Sequence, residues 1–171
     1  MSTPSHFDSA VTLQETQELT DRAKLYAARM RLQNTIDQAD ALDAIREIAG
    51  NLIGTEQVAV FKVDRLRSEL WMYWSFGIDP NKNALLDSRD EPNLRTALEG
   101  NPVFRERLGQ NLLSIDDPVS AIVPILVKET VAAIVVLFRL VTHKTALESV
   151  DKQICEVLSN CAARAVAPYR Q

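Results

Sequence analysis

The sequence predicts an α+β domain with an antiparallel β-sheet of five or six strands. N- and C-terminal helices are expected on one face of the sheet, and a long loop with a short helix over the other. Three observations lead to this prediction. Helical periodicity is confined to the two ends of the chain, two pairs of apolar β-rich runs lie between them, and a long stretch without a regular period separates the pairs.

Length and composition limit the possible functions. A chain of 171 residues with 46% apolar residues is long enough for one domain with a substantial core. Nineteen Lys and Arg against 23 Asp and Glu give a net charge of −4, which argues against a nucleic-acid partner. Two Cys and five Gly exclude a disulfide scaffold and leave little material for glycine-rich phosphate loops.

The sequence also bears on location. Residues 1–12 show no basic region followed by an apolar stretch, so no signal peptide is expected. The apolar stretch 119–138 contains Pro124 and the charged pair Lys128 and Glu129, which favours two buried strands over a membrane span. A cytoplasmic protein without a membrane partner is therefore expected.

The N-terminal region is predicted to be a disordered polar tail over 1–12 and one long helix over 13–36, rich in helix formers and free of Gly and Pro. The helix has two apolar stripes. One is expected to be covered by the last helix of the same domain, and consists of Leu25, Ala28, Leu32 and Ile36. The other has the 4-3-4 spacing of a coiled-coil seam, and consists of Leu19, Ala23, Tyr26 and Met30. An exposed seam predicts a parallel homodimer.

A second helix is predicted to begin after Asp40 as its N-cap and to end at Gly54. Two hairpins follow. The first joins strands over 58–63 and 70–76, and the apolar alternation of the second strand runs through Leu70, Met72, Trp74 and Phe76. The second hairpin joins 119–127 to 131–140, and the near-continuous apolarity of its last strand indicates burial on both faces.

The region between the hairpins, 81–117, has no clear period and is predicted to contain a short helix near 93–99. A closing helix starts near Leu147. Its apolar face is predicted to comprise Leu147, Val150, Ile154, Val157, Leu158, Cys161, Ala162 and Ala165.

The order of these elements and the residues 41–63, 69–77, 119–140 and 147–166 resemble a GAF domain, with the domain spanning about 40–168. The resemblance includes the strand ending in Gly77 and the apolar-Pro-apolar segment around Pro124. The turn 128–130 departs from the pattern because it lacks a Gly. The resemblance implies a stand-alone sensory or regulatory domain in signal transduction, acting through a small molecule or a signalling partner.

The sequence offers few residues in the patterns that catalysis requires. The histidines are His6, in the predicted tail, and His143, in a loop, and no metal-ligand spacing is present. Cys155 and Cys161 lie on one helix and cannot pair there, and Cys161 is predicted to be a small buried apolar residue. GAF-type free methionine sulfoxide reductases carry their cysteines on the pocket side, so a non-catalytic domain is expected and the reductase is the alternative.

The resemblance to a GAF domain implies a ligand site between the long segment 81–117 and the sheet face opposite the terminal helices. Strand parity and segment position select six lining residues: Phe61, Trp74, Leu94, Phe104, Arg105 and Val123. No cofactor is identified. Binding of a cyclic nucleotide is disfavoured. GAF domains that bind cyclic nucleotides carry an Asn-Lys…Phe…Asp…Glu signature, and Asn81-Lys82 with Asp90-Glu91 resembles it but lacks the Phe. Arg105 is a candidate for binding an anion. The alternative is that Arg89, Arg95, Arg105 and Arg107 form solvated ion pairs with the acids between them. A further alternative is a ligand-free scaffold whose pocket is filled by its own side chains.

Overall fold

The structure, a computed structural model, describes residues 6–166, with side chains described from residue 12 onward. The N-terminal helices are α1 (His6–Gln33) and α2 (Gln38–Glu47), and α2 runs directly into a π-helix (Ile48–Ile53). The remaining regular elements are β1 (Val58–Asp64), β2 (Glu69–Phe76), β3 (Leu85–Asp87), α3 (Pro92–Leu98), β4 (Val103–Phe104), β5 (Ala121–Val127), β6 (Thr130–Leu137) and α4 (Ser149–Cys161). Single 3₁₀ turns precede α3 and follow α4, at Ser88–Asp90 and Ala163–Ala165.

The six strands form one antiparallel sheet in the order β3-β2-β1-β6-β5-β4. Both predicted hairpins are present and lie beside one another, because β1 pairs with β6. The predicted short helix is α3. The predicted α+β architecture is therefore confirmed. No helix within residues 6–166 combines the length and apolar character needed to cross a bilayer.

Two apolar cores sandwich the sheet. The helix-side core joins α1, α2, the π-helix and α4 to the sheet through residues such as Val60, Val123 and Val135. The segment-side core joins α3 and the rest of 81–117 to the opposite face through residues such as Phe61 and Ile134. The predicted division of helices and long segment between the two faces is confirmed.

The limits of α1 differ from the prediction at both ends. The helix begins at His6, so residues 6–12 of the predicted tail are helical, since neither Gly nor Pro interrupts this stretch. Residues 1–5 of that tail lie outside the described part of the chain. At its other end α1 stops at Gln33, and Ile36 is 83% exposed in the connection to α2. Ile36 is therefore not part of the covered stripe.

The N-cap of α2 is Asp37, three residues before the predicted Asp40. The Asp37 carboxylate accepts the backbone N–H of Asp40 at 2.8 Å, and the Asp40 carboxylate accepts the N–H of Ile36 at 3.1 Å. The two acids thus satisfy donors on both sides of the helix start, which resembles a capping box. The predicted end at Gly54 is confirmed by its left-handed φ of 100°.

A β-bulge changes the pattern of β2. Val60 pairs with Trp74 but the next residue, Phe61, pairs with Met72, so Tyr73 is the extra residue. Leu70 and Met72 consequently face the segment side, whereas Trp74 packs on the helix side. The alternation predicted through Leu70, Met72, Trp74 and Phe76 is therefore wrong beyond Met72, because an extra residue reverses the side on which later side chains lie.

Candidate functional site

The six ligand-lining candidates do not share one face of the sheet. Phe61 and Leu94 are buried in the segment-side core. The other apolar candidates lie on the helix side, where Val123 is buried and Trp74 and Phe104 are partly buried. Arg105 is half-buried beyond the edge strand β4, with its guanidinium 3.4 Å from the carbonyl oxygen of Thr145. The structure thus brings Phe61 and Leu94 to the segment side and separates the other four from them.

The space between the sheet and the long segment is occupied by apolar side chains of the chain itself. Eight large side chains there are 2% exposed or less: Phe61, Leu70, Leu94, Leu112, Leu113, Ile122, Ile134 and Phe138. Two hydrogen bonds join the later part of the segment, at residues 112–114, to the start of α3. The Glu91 carboxylate accepts the N–H of Ser114 at 2.8 Å, and the Asn93 amide donates to the carbonyl of Leu112 at 2.9 Å. This packing is that of a protein core.

Two arginines of the long segment, Arg89 and Arg95, bind groups of the same segment. The Arg89 guanidinium donates to the Asp87 carboxylate at 2.7 Å. This hydrogen bond, followed by that of the Arg89 backbone N–H, lowers the pKa of Asp87 from 3.8 to about 2. Arg95 donates to the carbonyl oxygen of Arg89 at 2.6 Å. These contacts favour the solvated ion-pair interpretation of this region.

One stripe of α1 is covered and the other is open. Ala28 and Leu32 are buried against the helix-side core, and Leu25 is partly buried there. On the other stripe Leu19 is 65% exposed and Tyr26 is 64% exposed, while Ala23 is exposed and Met30 half-buried. All side chains from Thr12 to Thr20 are exposed. The N-terminal part of α1 therefore extends beyond the domain with an apolar stripe that no other described element covers.

The end of α1 is attached to α2 by an ion-pair network. The Arg31 guanidinium lies 2.7 Å from Glu47 Oε2 and 2.9 Å from Asp40 Oδ1. These hydrogen bonds raise the pKa of Arg31 and lower that of Asp40, because each stabilises the charged form. Arg31 therefore helps to fix the orientation of α1 relative to α2. Sequence periodicity cannot reveal this contact, since Arg31 and Glu47 are sixteen positions apart on different helices.

The cysteines occupy different environments. Cys155 is fully buried, and burial raises the pKa of its thiol to about 12. Cys161, predicted to be a small buried apolar residue, is half-buried in a concavity between α1 and α4. The prediction of full burial is wrong because Cys161 lines this concavity, whereas Leu158 and Ala162 beside it are buried in the helix-side core. A buried thiol with a raised pKa is a poor nucleophile at neutral pH.

Among the described residues no group of three or more His, Cys, Asp or Glu side chains is placed to hold a metal ion. His143 is exposed in the loop before α4. The side chain of His6 lies outside the described part of the chain.

Lys144, in the loop before α4, contacts both α4 and the π-helix. Lys144 Nζ lies 2.7 Å from the carboxylate of Asp151, which is fully buried. The same ammonium donates to the carbonyl oxygen of Ile53 at the end of the π-helix. Asp151 also caps its own helix by accepting the N–H of Glu148 at 2.7 Å. Lys144 therefore connects the end of the π-helix to the start of α4, two elements that are far apart in sequence.

A surface concavity of about 450 Å³ lies along α2 and the π-helix, and we call it the α2 groove. Its lining comprises Asp43, Arg46, Glu47, Gly50, Asn51, Thr55, Glu56, Val58 and Phe76. The Arg46 guanidinium carbon lies 3.9 Å from the centre of the Phe76 ring, a cation–π arrangement. A second concavity of about 430 Å³ shares Glu56 and Phe76 with the groove and extends to Arg139. No periodic pattern in the sequence indicates the groove, because its walls come from separate elements.

No protein-family model matches the chain, and no curated protein matches it in sequence. Solved structures do match its fold. The GAF domain/HD domain protein from Geobacter sulfurreducens is 18% identical with a TM-score of 0.60, over 79% of this chain and 95% of that one. The GAF domain of an Acinetobacter phosphoenolpyruvate-protein phosphotransferase is 14% identical with a TM-score of 0.59, over 85% and 94%.

A free methionine-R-sulfoxide reductase from Neisseria meningitidis, solved in complex with its substrate, is also similar. It is 12% identical with a TM-score of 0.60, over 85% of this chain and 89% of that one. These similarities extend over most of the chain and show that it has the fold of a GAF domain. The fold is common to sensory domains and to an enzyme, so the residues of this chain must discriminate between them.

Proposed function

We propose that this GAF-fold domain is a non-catalytic regulatory module of cytoplasmic signal transduction that works as a parallel homodimer through α1. The observation that carries the proposal is the open stripe of α1, formed by Leu19, Ala23, Tyr26 and Met30. At 28 residues α1 is about 42 Å long, and its exposed N-terminal part has no packing partner among the described elements. Most helical stability in proteins comes from packing of an apolar face, so a second copy supplies what this helix lacks.

The charges beside the stripe are compatible with parallel pairing. With Leu19 and Tyr26 at d positions and Ala23 and Met30 at a positions, Arg22 and Glu15 occupy g positions. In a parallel pair these face Ala27 and Thr20 of the partner helix, which are uncharged. No like charges therefore oppose one another across these positions, and the covered Leu25–Leu32 stripe remains free to hold each helix on its own domain.

The packed segment-side core favours regulation through surface contacts and argues against regulation by a small molecule held inside the domain. A ligand at that position has to displace several side chains that are 2% exposed or less. Displacing packed apolar side chains costs free energy that the ligand must recover. We therefore propose that the domain responds to a partner protein. Of the functions considered for a GAF domain, the packing supports the ligand-free scaffold best.

Substituting the open stripe tests the dimer. Glutamates at Tyr26 and Met30 place charges in the seam, and the variant is expected to sediment as a folded monomer under conditions where the unmodified chain is a dimer. Gln14→Glu with Gln17→Glu is the matched control, because Gln14 and Gln17 are exposed on the same helix but off the stripe. An unmodified chain that is monomeric at micromolar concentration contradicts the proposal.

The rival function is reduction of free methionine sulfoxide, which the similarity to the Neisseria meningitidis enzyme favours. A purified Cys155→Ser, Cys161→Ser variant is expected to show the same background rate as the unmodified chain. Turnover by the unmodified chain that disappears in the double variant would replace the regulatory proposal with the enzymatic one. The raised pKa of Cys155 supports the expected result.

A further inference from the structure

We propose that the α2 groove docks an arginine-bearing segment of a partner protein. The groove lies on the outer side of α2 and the π-helix, whereas the long segment 81–117 covers the opposite face of the sheet. The proposal deepens the regulatory function proposed above, on which its link to α1 rests.

Charge favours a cationic partner. The groove is lined by the carboxylates of Asp43, Glu47 and Glu56 and by one cation, Arg46. Glu47 is paired with Arg31, but neither Asp43 nor Glu56 forms an ion pair with any cation within residues 12–166. A concave surface with excess negative charge attracts positive groups and selects against anions.

The aromatic wall favours a guanidinium over an ammonium. The Phe76 side chain is 36% exposed, and Arg46 already places its guanidinium against the ring. This contact shows that the ring is positioned to receive a planar cation. An exposed cation–π contact is weak, so a partner arginine that also reaches the free carboxylates can take the place of Arg46.

The shape favours an extended segment. Gly50 lies in the groove lining, and a side chain added there meets only the carbonyl oxygen of Thr55, at 3.8 Å, so this part of the wall is open. Beyond Phe76 the surface continues into the second concavity, past Gly77 to Arg139. A peptide can therefore cross the Phe76 ring with an arginine in the α2 groove and its chain continuing toward Arg139.

Glu47 links the groove to α1. Its carboxylate lines the groove and also accepts the hydrogen bond from Arg31 Nε at 2.7 Å. A partner guanidinium that binds Glu47 competes directly with Arg31. Docking is therefore expected to weaken the attachment of α1 to α2, and the coupling must act equally in both directions.

The test uses the full chain, isotope-labelled for NMR, and an acetylated, amidated Gly-Arg-Gly-Arg-Gly peptide as the probe. The expected result is a set of amide shifts confined to the groove residues, with none from the same peptide carrying citrulline, which has a similar shape without the charge. Asp43→Asn and Glu56→Gln are each expected to weaken binding roughly two- to fivefold. Glu99→Gln removes a carboxylate from an exposed position outside the groove and is expected to bind as the unmodified chain does.

Equal binding of the citrulline peptide, or equal weakening by Glu99→Gln, overturns the docking proposal, since it indicates non-specific contact. The Nε–H signal of Arg31 reports the coupling separately: it is expected to exchange faster with water when the arginine peptide is bound. Groove binding without that change overturns the link to α1 alone. The sedimentation experiment on the α1 stripe involves neither peptide nor groove, so failure of the dimer is distinguishable from failure of docking.

Discussion

Lys144 and Asp151 form an ion pair of 2.7 Å whose carboxylate is fully buried, and the pair joins the loop before α4 to the first turn of that helix. One oxygen of the carboxylate has no hydrogen-bond partner among the described residues. The other accepts from Lys144 and from the backbone of Glu148. Loss of the ammonium leaves a buried charge with a single hydrogen bond.

Lys144→Met is therefore expected to destabilise the domain by about 3–5 kcal/mol, the range for breaking a buried pair from one side. Urea unfolding measures the change. Lys152→Met, on α4, is the matched control, because Lys152 pairs with Glu106 at 3.5 Å on the surface and this pair is expected to contribute about 1 kcal/mol or less. Similar losses in both variants contradict a special role for the buried pair.

Gly77 is required where β2 ends. Its φ is +77°, and a Cβ atom added there would lie 2.0 Å from the carbonyl oxygen of Glu56. Gly109 has a similar φ of +84° but nothing within 4 Å of the same added atom. Gly109→Ala is expected to cost about 1–2 kcal/mol for the left-handed backbone, and Gly77→Ala distinctly more because of the steric overlap. Thermal unfolding of the two variants compares the costs; equal losses would mean that the overlap is relieved by movement of the chain.

The two cysteines are expected to differ in reactivity. At pH 8 a thiol with a pKa of about 12 is ionised to only about one part in 10⁴, and Cys155 is in addition fully buried. A disulfide reagent is therefore expected to label one thiol per native chain at pH 8 and both in denaturant. Cys161→Ser should remove the native reaction, and Cys155→Ser should leave it unchanged. Rapid labelling of native Cys161→Ser protein contradicts the burial of Cys155.

The Arg31 network predicts a pH dependence. Hydrogen bonding by Arg31 is the largest cause of the lowered pKa of Asp40, followed by the N–H of Ile36. A lowered carboxyl pKa contributes stability above its ordinary value of 3.8, and this contribution disappears as the pH falls through the lowered pKa. Arg31→Gln is expected to raise the pKa of Asp40 toward 3.8 and to reduce the dependence of stability on pH below that value.

Carboxyl NMR titration measures this change directly. Arg89→Gln provides the control, because it is expected to raise the pKa of Asp87 from about 2 and leave Asp40 unchanged. A pKa of Asp40 that stays low in Arg31→Gln protein would assign the shift to the Ile36 N–H instead, and would contradict the attachment of α1 to α2 through Arg31.

Much of the fold followed from local patterns in the sequence. The β-rich runs became β1, β2, β5 and β6, and the two-stripe pattern of α1 separated buried Ala28 and Leu32 from exposed Leu19 and Tyr26. These predictions succeeded because helical and strand periodicity is a property of neighbouring residues, and burial of one face follows from it.

The distribution of residues over the two cores required the folded chain. The bulge at Tyr73 arises from the pairing of β1 with β2 and moved Trp74 to the helix side, which separated it from Phe61. The ion pair of Lys144 with Asp151 and the α2 groove likewise combine groups from different elements. Element type and order are encoded locally, whereas these contacts depend on pairing and packing between distant segments, for which a single sequence contains no periodic signal.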